Sequence, residues 1–156
     1  ILSFLKYFLS TPEYLAPEVI LNKGHDRGVD NWGLGILIFE MVNGDVPFEG
    51  ESSMETYSLI LKDDISFTSA FSRSCKGIIR AMCQQNPKRR IGYSGFDDIR
   101  RHYWYAGFDW KAFIEMKLSA PHVPSISGDN DLSNFDEYDE IDVNNVPQST
   151  WTAEFL

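Results

Sequence analysis

Cysteine and histidine are scarce in these 156 residues, with two of the first and three of the second. Cys75 and Cys83 stand on one face of an expected helix, eight positions or about 12 Å apart, too far for a disulfide. They read as buried free thiols in a reducing compartment, which places the chain in the cytoplasm. His25, His102 and His122 are scattered, no pair has metal-ligand spacing, and no metal site is readable. No apolar stretch reaches the length of a membrane span. The opening ILSFLKYFLS is apolar, but Lys6 interrupts it and no small-residue cleavage pattern follows, unlike a signal peptide. Internal repeats and a convincing set of strands are both absent. Positive charge is short as well: 14 Lys and Arg face 23 Asp and Glu, a net −9. The deficit is local, since residues 1–110 carry 12 basic and 14 acidic residues and residues 111–156 carry 2 and 9. A near-neutral body with an acidic tail argues against a general nucleic-acid binder. Lys88-Arg89-Arg90 and Arg100-Arg101 lack interleaved surface aromatics and read as solvated or ion-paired faces.

What the chain does have is apolar content for one core: 43% hydrophobic residues in a length suited to a single globular domain. The pattern is mainly α. Residues 30–44, DNWGLGILIFEMVNG, read as a helix with Asp30 as N-cap and Gly44 as the stop. Its interior is apolar on every side, which puts it in the middle of a core. Glu40 stands out there, because a buried carboxylate needs a partner or a purpose, unless it reaches solvent from the helix end. A second helix is expected over 54–62, capped by Ser53, with Met54, Tyr57 and Leu61 on one face. The cleanest periodicity is Cys75, Ile78, Ile79, Met82 and Cys83, a helix that ends by Asn86-Pro87. Short helices are expected near 96–104 and 110–117, and an extended tail from Ser119 onward.

Residues 10–18, STPEYLAPE, hold two prolines and two glutamates. Each proline fixes its own φ and pushes Thr11 or Ala16 towards extended geometry, and Pro17 suits the first turn of a helix. The stretch reads as a rigid shelf holding Glu13 and Glu18 in set directions. Taken alone, it reads equally as an ordinary loop-to-helix junction.

Together these pieces resemble the C-terminal lobe of eukaryotic protein kinases. TPEYLAPE is similar to the end of an activation segment with its Ala-Pro-Glu motif. In the order that family shows, DNWGLG, the Gly-x-x-Pro-Phe turn at 44–48, NPKRRIG at 86–92 and RHYWYAGFDW at 101–110 follow. NFDEY at 134–138 resembles the tail of basophilic, cyclic-nucleotide-regulated (AGC-type) kinases. GFDW at 107–110 and the Trp-headed end WTAEFL resemble the cGMP-dependent branch. The resemblance divides the chain into an atypical apolar start (1–10), a partial kinase domain of helical lobe type (11–110) and an AGC-type C-terminal tail (111–156).

By position, the resemblance implies roles. Glu18 and Arg90 would form the ion pair that fastens the activation segment to the lobe. Asp30 would bond backbone amides of the catalytic loop, and Thr11 would support that loop. Glu13 and Glu40 would receive arginines ahead of the target Ser or Thr, two carboxylates suited to guanidinium forks. Phe8, Pro12 and Leu15 would shape the apolar pocket for the residue after the target. Phe135 would lie against the ATP adenine with Tyr138 nearby, and Trp151 and Phe155 would dock on the N-terminal lobe. The partners implied are basic peptides and that N-terminal lobe, with ATP and Mg as cofactors of the intact parent.

Phosphoryl transfer also needs a glycine-rich loop, a strand lysine, a His-Arg-Asp loop and an Asp-Phe-Gly turn. None is in this sequence; GHDRG at 24–28 and GFDD at 95–98 have the letters without the order. No residue here is catalytic in the strict sense, and the chain is expected to be inactive alone. Where the family has Thr-x-Cys-Gly before Thr-Pro-Glu, this chain has Tyr7-Phe8-Leu9-Ser10. The simple account is that residues 1–10 are not native kinase sequence. The alternative to a kinase fragment is a non-catalytic lobe that captures basic peptides or a kinase partner.

Overall fold

The computed structural model describes residues 11–137. Phe8, Tyr138, Trp151 and Phe155 therefore lie outside the described residues. The chain divides into two units between Ile114 and Glu115.

The described part of the first unit holds six α-helices: α1 (Pro17–Ile20), α2 (Gly28–Asn43), α3 (Ser53–Lys62), α4 (Arg73–Met82), α5 (Phe96–Arg100) and α6 (Trp110–Ile114). Single 3-10 turns at Pro12–Tyr14, Pro87–Arg89 and Tyr103–Tyr105 link them. No strand occurs among the described residues. Helix α4 carries the expected face: Cys75, Ile78, Ile79, Met82 and Cys83 are all buried. It packs on α2, which buries Trp32, Ile36, Ile38 and Phe39. The two helices approach so closely that a Cβ on Gly35 would stand 2.6 Å from the Cys83 sulfur and 2.9 Å from the Met82 Cβ. Phe48 stacks on Trp32 at 6.2 Å, and Phe39, Phe67 and Phe71 close the other side of the core as a mutually tilted trio.

Three local expectations need correction. Asp30 does not cap α2; the helix begins at Gly28, and Asp30 is an exposed residue of its first turn. The start moves forward because the Asp26 carboxylate accepts the Gly28 N–H at 2.8 Å. Ser52, not Ser53, caps α3, accepting the Glu55 N–H at 3.3 Å. And α2 is not enclosed on every side: Leu37, Met41 and Val42 are 42%, 68% and 39% exposed, because none of the described elements covers that stripe. The C-terminal end does follow expectation. Gly44 takes φ 90°, the left-handed stop that glycine reaches without steric cost, and its N–H bonds the Glu40 carbonyl.

In the second unit, residues 115–137 form neither helix nor strand. One carboxylate organises the stretch. Asp131 accepts the Ser127 N–H at 2.6 Å, the Ser127 hydroxyl at 2.7 Å and the Ser133 N–H at 2.8 Å. Hydrogen bonds from Ser133, then those from Ser127, hold the Asp131 carboxyl well below the usual carboxylate range.

Candidate functional site

Thr11 and Ala16 both adopt the extended backbone that a following proline imposes. Between them the chain makes one 3-10 turn, with Tyr14 N–H on Thr11 C=O at 3.0 Å and Leu15 N–H on Pro12 C=O at 3.2 Å. The turn packs against both α2 and α3. Pro17 then opens α1, where its missing N–H is no loss.

Glu18 points inward from α1 and meets Arg90 in a buried, two-pronged ion pair. The guanidinium Nη1 and Nη2 each donate to one carboxylate oxygen at 2.6 Å. Arg90 makes two further hydrogen bonds: Nη1 also donates to the Gly28 carbonyl at 2.9 Å and Nε to the Gln84 carbonyl at 2.8 Å. Its guanidinium lies 5.2 Å from the centre of a Trp32 ring. Such a planar, charge-assisted contact fixes orientation as well as position. The pair thus ties α1, the start of α2 and the stretch after α4 to one point.

Glu40, on α2, is half-buried and accepts a hydrogen bond from the Tyr14 hydroxyl. That bond, then burial and the Glu40 charge, push the Tyr14 phenol up to about 12. Tyr14 therefore stays protonated at neutral pH and keeps donating. The phenol occupies part of the Glu40 carboxylate and holds it in place beside the turn. Glu13, one residue earlier, is half-buried with no side-chain hydrogen bond or ion pair among the described residues. Leu15 turns the other way and, with Val19 and Ile20, faces Met54, Tyr57 and Leu61 of α3 across an apolar groove of about 260 Å³. Pro12 is half-buried within the turn, and Thr11 is exposed beside it.

Elsewhere, Asp30 has no side-chain hydrogen bond or ion pair among the described residues, and Phe135 is 71% exposed in the second unit. Tyr14 was not among the residues singled out from sequence. The signal that could have found it was Glu40 itself, a carboxylate on an apolar helix that required a donor. Among the described residues, no three His, Cys, Asp or Glu side chains gather where they could hold a metal ion.

A sequence model of the protein kinase domain matches residues 3–105, and the chain belongs to that family. Within it the chain is of the AGC type and is similar to the cGMP-dependent protein kinases. It is 46% identical over 154 residues to cGMP-dependent protein kinase, isozyme 1, of Drosophila melanogaster, and 44% identical over 153 residues to cGMP-dependent protein kinase 2 of Mus musculus. Each comparison covers 95% of this chain but 20% of the relative. It is also 44% identical over 139 residues to the cAMP-dependent protein kinase catalytic subunit PRKX of Mus musculus, covering 88% of this chain and 39% of that protein. The chain spans about a fifth of the length of the first two relatives.

Proposed function

We propose that this chain provides the peptide-binding shelf and tail of a cytoplasmic serine/threonine kinase of the cGMP-dependent type, and that it transfers no phosphoryl group alone. The observation that carries the reading is one rigid turn that bears the Glu13 carboxylate and, through Tyr14, holds the Glu40 carboxylate of α2. Glu40 is aimed by Tyr14, and Glu13, the residue before Tyr14, has no side-chain hydrogen bond or ion pair among the described residues. Two partly desolvated carboxylates favour guanidinium over other side chains by charge and by fork geometry. The substrates are therefore basic peptides with arginines ahead of the Ser or Thr.

The remaining roles follow the same reading. Glu18 and Arg90 keep the shelf fixed to the helical body. Asp30 and Thr11 support a catalytic loop, Pro12 and Leu15 (with Phe8) take the residue after the target, and Phe135 and Tyr138 approach ATP. Trp151 and Phe155 dock on an N-terminal lobe. ATP and magnesium act in the parent kinase, on groups that this sequence does not contain. The exposed stripe of Leu37, Met41 and Val42 on α2 supports the same view, since an apolar helix face of this kind is normally covered.

The test is binding of fluorescein-labelled peptides to the purified chain, read by anisotropy, beside a kinase assay with ATP and magnesium. Arginines ahead of serine should tighten binding, and Glu13→Gln with Glu40→Gln should abolish that preference. Phosphate transfer by the chain alone, or binding indifferent to arginine, would overturn the reading.

A further inference from the structure

The apolar groove between Leu15 and α3 is not used by arginine recognition. Its walls are Leu15, Val19 and Ile20 on one side and Met54, Tyr57, Leu61 and the polar Ser58 on the other. At about 260 Å³ it lies below the roughly 300–1,000 Å³ of small-molecule sites and suits one or two side chains of a peptide. Met54 is 73% exposed and Leu61 37%, so apolar surface stands open to water there.

Position and charge say what covers it. The Pro12–Tyr14 turn packs on both α2 and α3: Tyr14 donates to Glu40 of α2, and Leu15, the next residue, lines the groove against α3. Leu15 belongs to both the shelf and the groove, which makes the two surfaces continuous. A peptide whose arginines reach Glu40 and Glu13 is therefore led past Leu15 towards α3. Exposed carboxylates flank that helix at both ends, Glu51 and Glu55 at its start and Asp63 and Asp64 at its finish, against one lysine, Lys62.

We infer that this groove is a second specificity site for the same substrate. It receives an apolar side chain placed downstream of the phosphoacceptor, beyond the residue that immediately follows it. This rests on the peptide-shelf reading above and narrows the substrate class: arginines before the acceptor, and a leucine- or phenylalanine-like residue some way after it.

The experiment uses the full chain and fluorescein-labelled peptides with arginines ahead of serine and leucine at successive positions after it. Alanine replaces leucine in the reference set. Leucine at the matching position should tighten binding about tenfold, equivalent to ~1.4 kcal/mol. Met54→Glu and Leu61→Glu, both at exposed positions, should erase the leucine advantage and leave arginine dependence intact, with unchanged circular dichroism. Leucine dependence that survives both variants, or is never seen while arginine dependence is, overturns the groove assignment alone. Leucine dependence without arginine dependence overturns the Glu13–Glu40 reading and leaves the groove as a peptide site. Sedimentation velocity covers the other occupant: self-association abolished by Met54→Glu would assign the groove to a second copy and overturn the proposal.

Discussion

Replacing Glu18 by leucine, a side chain of similar volume, isolates the charge at the centre of the fold. Arg90 would lose two of its four hydrogen bonds while its side chain remains 0% exposed. Removing one member of a buried, well-formed pair strands the other charge and costs about 3–5 kcal/mol. Native domains have roughly 5–15 kcal/mol in total, so about a fifth or more of the stability is at stake. In urea, with a slope of about 2 kcal/mol per molar, the midpoint should fall by roughly 2 M at unchanged slope. Tryptophan fluorescence is a suitable signal, because Trp32 lies against the Arg90 guanidinium. The double variant Glu18→Leu with Arg90→Met removes both charges, and its cost should fall well short of the summed single costs. A single-variant loss below about 1 kcal/mol, or strict additivity in the double, would refute the reasoning, placing the pair among those that water screens.

Gly35→Ala, normally a gain of about 1 kcal/mol within a helix, should here destabilise by about 1–3 kcal/mol, because the new methyl meets Cys83 and Met82 where α2 crosses α4; thermal unfolding by calorimetry reads the sign. Tyr14→Phe should remove a phenol that titrates near 12 instead of 10, seen in the difference between wild-type and variant absorbance on alkaline titration. Since the folded state raises this pKa, the bond to Glu40 contributes fully below pH 10, and its contribution is lost as pH rises through about 12. A difference midpoint near 10 would show the phenol free of Glu40. Burial, then the Asp63 charge, pushes the Cys83 thiol up to about 12, and burial also raises Cys75. Both should resist iodoacetamide at pH 8 in the native chain and react once it is unfolded, as mass spectrometry would show.

How much could be read from sequence depended largely on whether the cause was local. Helix α4 was plain because its apolar positions repeat at helical spacing against a polar reverse face, and its buried residues match. The end of α2 was equally plain, since Gly44 supplies a left-handed stop. Its start was missed although the cause is local: the Asp26 carboxylate takes the Gly28 N–H and moves the first turn ahead of Asp30. The cap of α3 was within reach: Glu55 stands three residues after Ser52, and serine followed by glutamate at that spacing marks the N-cap. At the shelf, proline chemistry gave the backbone and the kinase resemblance named Glu13, Glu18, Glu40 and Arg90. The Tyr14 bond and the groove on α3 needed the packing of segments far apart in sequence.

The turn at Pro12–Tyr14 also constrains how such a chain can change over generations. A 3-10 helix has about three residues per turn, so neighbouring side chains leave it in well-separated directions. Glu13 is half-buried and makes no side-chain hydrogen bond or ion pair among the described residues, Tyr14 reaches Glu40 on α2, and Leu15 faces α3. Losing or gaining one residue would rotate all three at once, sending the phenol away from its carboxylate and the leucine out of the groove. Substitution can retune one direction at a time; a change of length cannot. Divergence in this segment should therefore consist of replacements at fixed length, even where the surrounding loops vary in size.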